Sequence, residues 1–162
     1  MLWTFPWRTR PARVCGMVAS LLFLLAGYGS LAASREPWTE AQLVSPEALH
    51  QRLAGTKLAR PLILQVGFRT LYDQGHIPGS QYHGPASKPE GLAELKKYVQ
   101  HRPRRREIII YCGCCPWHDC PNIRPAFQAL KSLGFTRVKV LSIPSTFLVD
   151  WANAGYPIEK SD

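Results

Sequence analysis

The stretch EIIIYCGCCPWHDCPN, residues 107–122, joins a short apolar run to a loop that holds four of the five cysteines of this 162-residue chain. The run EIIIY, 107–111, is rich in β-branched residues and shows no polar alternation, which predicts a strand buried on both faces. After the loop, Ile123 to Leu133 have helical periodicity and end at Gly134. A buried strand that leads through a loop into a helix is the repeating unit of a parallel α/β sheet.

The rest of the chain repeats this alternation of apolar strands and amphipathic helices. PLILQV, 61–66, and RVKVLSI, 137–143, predict two further strands. Periodicity, together with Ser, Pro and Gly at the boundaries, predicts helices over 45–54, 88–101 and 146–154. The pattern predicts an α/β domain with a mostly parallel sheet, in which ligands bind beyond the carboxyl ends of the strands. The cysteine loop begins at that end of EIIIY.

The first 32 residues have the features of a secretory signal peptide. Arg8, Arg10 and Arg13 precede an uncharged, mostly apolar run, and small residues stand where a cleavage site is expected. The uncharged run is also close to the length that spans a bilayer, so an uncleaved membrane anchor is the alternative. We therefore expect an exported, periplasmic protein, or one anchored in the inner membrane and facing the periplasm.

The net charge of +9 limits the classes of partner. Loss of residues 1–32 removes three arginines and no acidic residue, which leaves 17 basic and 11 acidic residues and a net charge of +6. A basic protein of this size favours small anionic substrates. Nucleic acid is not expected, because aromatic residues are not interleaved with the basic ones. A membrane is expected as a partner only through an uncleaved N-terminal segment, and the sequence carries no signal for an oligomeric state.

Cys112 follows the strand directly and is the best anchored of the loop cysteines. A thiol held at the N-terminus of the following helix has its pKa lowered from about 8.5, because unpaired N–H groups and the helix dipole favour the thiolate. A thiolate is a nucleophile, and Arg124 in the first helical turn could hold an anionic substrate beside it. The first hypothesis is therefore a nucleophilic Cys112 that attacks a sulfur donor and carries a persulfide.

Three alternatives remain open for the same loop. Cys114, Cys115 and Cys120 are candidates for thiol–disulfide exchange, and Cys112 forms a C-x-x-C pair with Cys115. Cys112, Cys115, His118 and Cys120 could instead hold zinc or Cu(I), although the spacing is poor for a structural zinc site. The plainest alternative is a disulfide that staples the loop.

Four segments resemble, in the same order, the rhodanese-like domain family: LILQVGFRTLYDQGHIPGS, EIIIYC, FQALKSLGFTRVKVL and FLVDWANAGYPIE. The resemblance covers residues 45–160, and residues 33–44 before them are expected to form a linker. It implies a three-layer α/β fold with a central, mostly parallel five-stranded sheet flanked by helices. It also implies a sulfurtransferase in which Cys112 is catalytic and carries sulfane sulfur from a small anionic donor, such as thiosulfate, to a thiol or another nucleophile.

The resemblance also implies a substrate-binding loop and no cofactor. The residues expected to bind the substrate are Gly113, Cys114, Cys115, Trp117 and Arg124. Two departures from the family pattern stand out: Gln65-Val66-Gly67 replaces the usual Asp-Val-Arg, and the loop after Cys112 is several residues longer, with Arg124 as its first arginine. Because of these departures, a non-enzymatic redox or metal-binding module on the same fold remains an alternative interpretation.

Overall fold

The computed structural model describes residues 36–55 and 59–161. The predicted export segment, residues 1–32, lies outside these described residues. The chain divides into two units, Met1–Ala33 and Ser34–Asp162, and all of the described residues belong to the second unit. Within the described ranges, no helix is both long and apolar enough to cross a membrane.

Short strands and helices alternate along the described chain. The strands are β1 Leu43–Val44, β2 Leu62–Gln65, β3 Gln81–Tyr82, β4 Ile108–Tyr111 and β5 Val138–Leu141. The helices are α1 Pro46–Ala54, α2 Arg69–Gln74, α3 Pro89–Val99 and α4 Ile123–Ser132. A 3₁₀ turn, Glu40–Gln42, precedes β1, and a π-helical turn, Leu148–Ala152, follows β5.

The strands form one five-stranded sheet in the order β1-β5-β4-β2-β3, and every pairing is parallel. Helices cover both faces of the sheet, so the predicted three-layer α/β fold is confirmed. β4 lies at the centre, and Gln65 of β2 is in register with Tyr111 at the end of β4. The cysteine loop therefore starts at the middle of the carboxyl edge, where parallel α/β sheets bind ligands.

The apolar core lies in two clusters, one on each face of the sheet. Side chains of β4 alternate between them: Ile108 and Ile110 pack with α3 and α4, whereas Ile109 and Tyr111 pack with α1 and the π-helical turn. All four side chains are buried. Because both faces of the strand are covered, its sequence has no polar alternation. Cys112 continues the alternation and belongs to the cluster on the α3 and α4 face.

Local signals in the sequence place the start of α1 as predicted. Ser45 is the N-cap, and its Oγ accepts a hydrogen bond of 3.1 Å from the N–H of Ala48. Pro46 occupies the first turn, where a missing N–H has no consequence. Gly55 follows the last helical residue.

The segment 33–44, expected to be a linker, is structured in its described part. Leu43–Val44 forms the edge strand β1 against β5, and Trp38 is buried with its ring 5.4 Å from that of Phe127. A two-residue strand has too few residues to show periodicity, and its hydrogen bonds go to a strand almost one hundred residues later. The linker prediction is therefore wrong for these residues.

The last predicted helix is shorter and wider than expected. Over 146–154, the structure has the π-helical turn, in which the N–H of Asn153 donates to the carbonyl of Leu148 at 2.8 Å.

α2 and the edge strand β3 were not predicted, because six- and two-residue elements leave little periodic signal.

Candidate functional site

The site is built around Cys112, the first residue after the central strand. Its side chain is 3% exposed, and it forms part of the wall of a cavity of about 380 Å³ at the carboxyl edge of the sheet. Cys112 is therefore shielded from bulk solvent, and the cavity offers a small substrate space beside it.

Gln65 holds the start of the loop in place. Its Nε2 donates to the carbonyl of Cys112 at 3.0 Å, and its Oε1 accepts from the N–H of Gly67 at 3.1 Å. Both side-chain groups of this buried amide are thus hydrogen-bonded, one to the end of β4 and one within its own segment. The sequence shows that Gln65 stands where the family has Asp, but not that the amide anchors the carbonyl of Cys112.

Two glycines let the backbone pass close to this point. A Cβ on Gly67 would lie 2.5 Å from the Sγ of Cys112, so the thiol occupies the space that a side chain at position 67 would need. Gly113 has a φ of +84°, and a Cβ there would lie 2.6 Å from the Cβ of Phe147. The carbonyl of Gly113 accepts a hydrogen bond of 3.0 Å from the N–H of Phe147, which ties the loop to the segment after β5.

The turn Gly75–Gly79 supports the end of β4 without contributing a reactive group. The N–H of Ile77 donates to the hydroxyl of Tyr111 at 3.2 Å, and Ser80 contacts the same hydroxyl at 3.1 Å. His76 is buried, stacks on Tyr72 and has its Nδ1 2.8 Å from the carbonyl of that residue. These contacts give His76 a role in packing and hydrogen bonding.

The sulfur atoms of the four loop cysteines lie close together. The Sγ of Cys114 lies 3.2 Å from that of Cys112 and 3.1 Å from that of Cys115. The Sγ atoms of Cys112, Cys114 and Cys120 all lie within 4.8 Å of one another, and we call these three residues the sulfur cluster. All four loop cysteines are free thiols in the structure. The loop therefore has the spacing for sulfur–sulfur chemistry or for a soft metal ion.

The thiols of the sulfur cluster share their protons unequally. Contacts with the thiols of Cys114 and Cys120, together with burial, raise the pKa of the Cys112 thiol. The hydrogen bond from Cys112 lowers the pKa of Cys114 to about 5. The pKa of Cys120 is also lowered, first by the hydrogen bond from Cys112 and then by the N–H groups of Asn122 and Ile123. The thiol at the amide end of α4 is thus Cys120, where the sequence pointed to Cys112.

Asn122 connects the sulfur cluster to the rest of the fold. This fully buried residue precedes α4, and its Nδ2 lies 3.4 Å from the Sγ of Cys112. Its Oδ1 accepts a hydrogen bond of 2.9 Å from the N–H of Ser87. Asn122 therefore restrains the thiol of Cys112 through a contact independent of Gly67. Its position directly before a helix is typical of a cap, so the sequence alone does not reveal this contact.

The walls of the cavity are mostly apolar. They are formed by Gln65, Leu71, Gln74, Gly75, Tyr111, Cys112, Gly113, Cys114, Thr146, Phe147, Leu148, Ala152 and Ile158. The polar side chains on this wall are two amides and two hydroxyls, together with the thiols. No arginine, lysine or histidine is among the lining residues, all of which belong to the described ranges. The cavity therefore suits a small ligand of low charge better than one with several negative charges.

The predicted substrate-binding residues separate into two groups. Gly113 and Cys114 line the cavity with Cys112, whereas Cys115, Trp117 and Arg124 do not. The ring of Trp117 packs 5.7 Å from that of Trp38. Trp117 thus serves the packing of the loop in this structure.

Arg124 is occupied by contacts of its own. Its guanidinium forms an ion pair with Glu36 and donates to the carbonyl of His118 at 2.7 Å. His118 is half exposed, and its Nε2 lies 3.2 Å from the carboxylate of Asp119. Neither residue belongs to the sulfur cluster, so the set that converges, Cys112, Cys114 and Cys120, differs from the predicted metal set that contained Cys115 and His118.

Fold and site together define a parallel α/β domain with a cysteine at the carboxyl end of its central strand and a cavity in front of that cysteine. The family model that matches this chain is the rhodanese-like domain, over residues 45–143. The chain belongs to the rhodanese-like domain family. No curated protein matches it in sequence.

Solved structures support the fold. The rhodanese-like domain of the Alr3790 protein from Anabaena is 23% identical, with a TM-score of 0.56 over 74% of this chain and 80% of that one. The BH2092 protein from Bacillus halodurans is 20% identical, with a TM-score of 0.56 over 72% of this chain and 75% of that one. Thiosulfate sulfurtransferase from Pseudomonas aeruginosa is 19% identical, with a TM-score of 0.51 over 74% of this chain and 19% of that one. At these identities the likeness establishes the fold, which is compatible with sulfur transfer.

Proposed function

We propose that this protein is a rhodanese-type sulfurtransferase that moves sulfane sulfur from a small anionic donor to a thiol or another nucleophile. The observation that carries the proposal is the position of Cys112. It follows the central strand, lies on the wall of the cavity, and stands in a chain of the rhodanese-like family. In this proposal, Cys112 carries the transferred sulfur as a persulfide.

The first half-reaction loads the sulfur. The Sγ of Cys112 releases its proton to solvent and attacks the sulfane sulfur of the donor as the thiolate. An S–S bond forms between Cys112 and the transferred atom, while the bond between that atom and the rest of the donor breaks. The electron pair of the broken bond leaves with the donor fragment, which is sulfite when the donor is thiosulfate.

The second half-reaction delivers the sulfur. A thiolate or cyanide attacks the outer sulfur of the persulfide, and the S–S bond breaks with its electron pair returning to Cys112. The acceptor leaves as a persulfide or as thiocyanate, and Cys112 takes up a proton from solvent. The two half-reactions together need no external oxidant or reductant.

The lining of the cavity bears on the choice of donor. Thiosulfate carries two negative charges, and moving them onto an apolar wall without a cationic partner is costly. A low-molecular-weight persulfide whose remaining groups are neutral carries at most one negative charge. We therefore expect such a persulfide donor to give a higher kcat/KM than thiosulfate, and the two should be compared at equal acceptor concentration.

The test is sulfur transfer to cyanide or to a thiol by wild type and by Cys112→Ser. We expect Cys112→Ser to lose the activity while it keeps its unfolding midpoint. Cys115→Ser is the matched control, because Cys115 has a thiol in the same loop but does not line the cavity. This variant should lose much less sulfur-transfer activity than Cys112→Ser. Equal rates for wild type and Cys112→Ser would rule out the proposed carrier.

A mass spectrum of the native protein separates this proposal from the alternative of a non-enzymatic redox module. A mass increase of one sulfur located on Cys112 supports transfer. Loss of two hydrogens per cysteine pair supports disulfide chemistry in its place. A Cys112 locked in a disulfide that thiols do not reduce would contradict the enzyme proposal.

We also propose that the protein acts outside the cytoplasm. The basis is the sequence of residues 1–32, with three arginines before a long uncharged run. N-terminal sequencing of protein from fractionated cells is the test. A start near residue 33 in the periplasmic fraction supports cleavage, an intact N-terminus in the membrane fraction supports an anchor, and recovery from the cytosol contradicts both.

A further inference from the structure

We propose that the sulfur cluster of Cys112, Cys114 and Cys120 is a binding site for a monovalent copper ion, Cu(I). The site is independent of sulfur transfer in its chemistry, because the ion binds without forming or breaking a bond between sulfur atoms. It shares Cys112 with the proposed transfer reaction, so each process affects the other.

The positions of the three sulfur atoms suit an ion with three ligands. All three Sγ atoms lie within 4.8 Å of one another, and those of Cys112 and Cys114 are 3.2 Å apart. In a planar site with three sulfur ligands and metal–sulfur bonds of about 2.3 Å, as in zinc thiolate sites, the sulfur atoms lie about 4 Å apart. Side-chain rotations that move the sulfur atoms by less than about 1 Å therefore convert the cluster into a coordination shell.

The chemistry and number of the donors favour Cu(I) over Zn(II). Thiolates are soft donors and select soft ions such as Cu(I), and among the described residues no carboxylate or imidazole joins this group. Zn(II) in structural sites takes four ligands in a tetrahedron. Cys115 contacts Cys114 but lies outside the convergent set, and His118 is half exposed and pairs with Asp119. An ion with three ligands needs neither Cys115 nor His118 in its coordination shell.

The surroundings of the cluster support metal binding. Cys112 and Cys120 are buried members of the apolar core, and Cys114 is half-buried against it, which limits the access of water to the sulfur atoms. The side-chain amide of Asn122 contacts Cys112, and Cys120 lies two residues before Asn122, the residue that precedes α4. Such contacts around the ligands orient them and offset the negative charge of thiolates around a monovalent ion.

Binding of the ion displaces thiol protons and leaves the oxidation state of sulfur and copper unchanged. While Cu(I) is bound, the lone pairs of Cys112 are used for the metal, and Cys112 is not available to a sulfur donor. We therefore expect copper-loaded protein to be inactive in sulfur transfer, and removal of copper to restore the activity.

The test is anaerobic titration of the reduced full-length protein with Cu(I) in the presence of bicinchoninate, a coloured competing chelator. We expect one Cu(I) per chain at the tight site. X-ray absorption of the copper-loaded wild type should show three sulfur neighbours and no nitrogen or oxygen. This measurement needs no variant, so it holds even if a substitution in the buried loop impairs folding.

Variants then identify the ligands. Cys114→Ser and Cys120→Ser should each weaken Cu(I) binding by more than about 100-fold, since loss of a residue that merely orients a ligand costs about 10–100-fold. Cys115→Ser is the matched control and should change the affinity by less than about threefold. Failure of wild type to compete with bicinchoninate, or equal weakening by Cys115→Ser and Cys120→Ser, would overturn the proposal. A four-sulfur Zn(II) site that depends on Cys115 would overturn it as well. Sulfur transfer is measured separately without copper, so either proposal can fail alone.

Discussion

The close contact between Gly67 and Cys112 leads to the most direct test of the site. A Cβ added at Gly67 would lie 2.5 Å from the Sγ of Cys112, 3.1 Å from the Nε2 of Gln65 and 3.2 Å from the carbonyl oxygen of Cys112. Ordinary contacts between such atoms are about 3.5–4.0 Å, so the thiol has to move by about 1 Å or more in Gly67→Ala. The backbone carbonyl limits how far the loop can adjust.

The displaced thiol has little room in its present neighbourhood. Cys114 and Asn122 contact Cys112 as well, at 3.2 Å and 3.4 Å. Overpacking of this kind costs about 1–3 kcal/mol. We therefore expect Gly67→Ala to lower the free energy of unfolding by about 1–3 kcal/mol and to slow persulfide formation on Cys112.

Two measurements check this prediction: urea unfolding followed by tryptophan fluorescence, and mass spectrometry of persulfide loading over time. Gly55→Ala is the matched control, because its added Cβ would meet atoms no closer than 3.7 Å and its position is far from the cysteine loop in the sequence. Unchanged stability together with an unchanged rate of persulfide formation in Gly67→Ala would refute the contact.

Three further predictions concern buried residues that do not line the cavity. Glu107 is buried, and its pKa is lowered chiefly by hydrogen bonds from Arg52 at 2.6 Å and 2.8 Å. Its contribution is therefore full above the ordinary carboxyl pKa and is lost as the pH falls through the lowered value. Glu107→Gln should reduce the free energy of unfolding by about 1–3 kcal/mol at pH 7, and the difference from wild type should shrink at acidic pH in urea titrations. Trp38→Ala should cost about 3–5 kcal/mol, measured in the same way, because it removes a buried ring from the core; a loss below about 1 kcal/mol would contradict its place there. Asn122→Ala leaves the N–H of Ser87 without its acceptor and should cost about 1–3 kcal/mol, with faster alkylation of the loop thiols as a second readout; unchanged alkylation would show that the amide does not restrain the loop.

Periodicity and turn residues were sufficient to predict the elements that form the middle of the fold. β2 and β4 are mostly apolar runs because both faces of a central parallel strand are covered, and β5 departs from this pattern at Lys139. α1, α3 and α4 have a 3.6-residue apolar pattern and marked boundaries. The position of Cys112 at the carboxyl end of the central strand was also predictable, because parallel strands bring their carboxyl ends to one edge.

The contacts that shape the site join residues far apart in the sequence, so they follow from the packing of the whole domain. β1 and β3 exist because longer strands pair with them, and a two-residue element has no period of its own. Gln65 reaches the carbonyl of Cys112 because the ends of β2 and β4 lie in register. The choice of Cys114 over Cys115 and His118 as the third member of the sulfur cluster follows from the path of the loop between Gly113 and α4. Spacing in the sequence supplied the candidate ligands, but the direction of each side chain is set by the packing of the loop against the core.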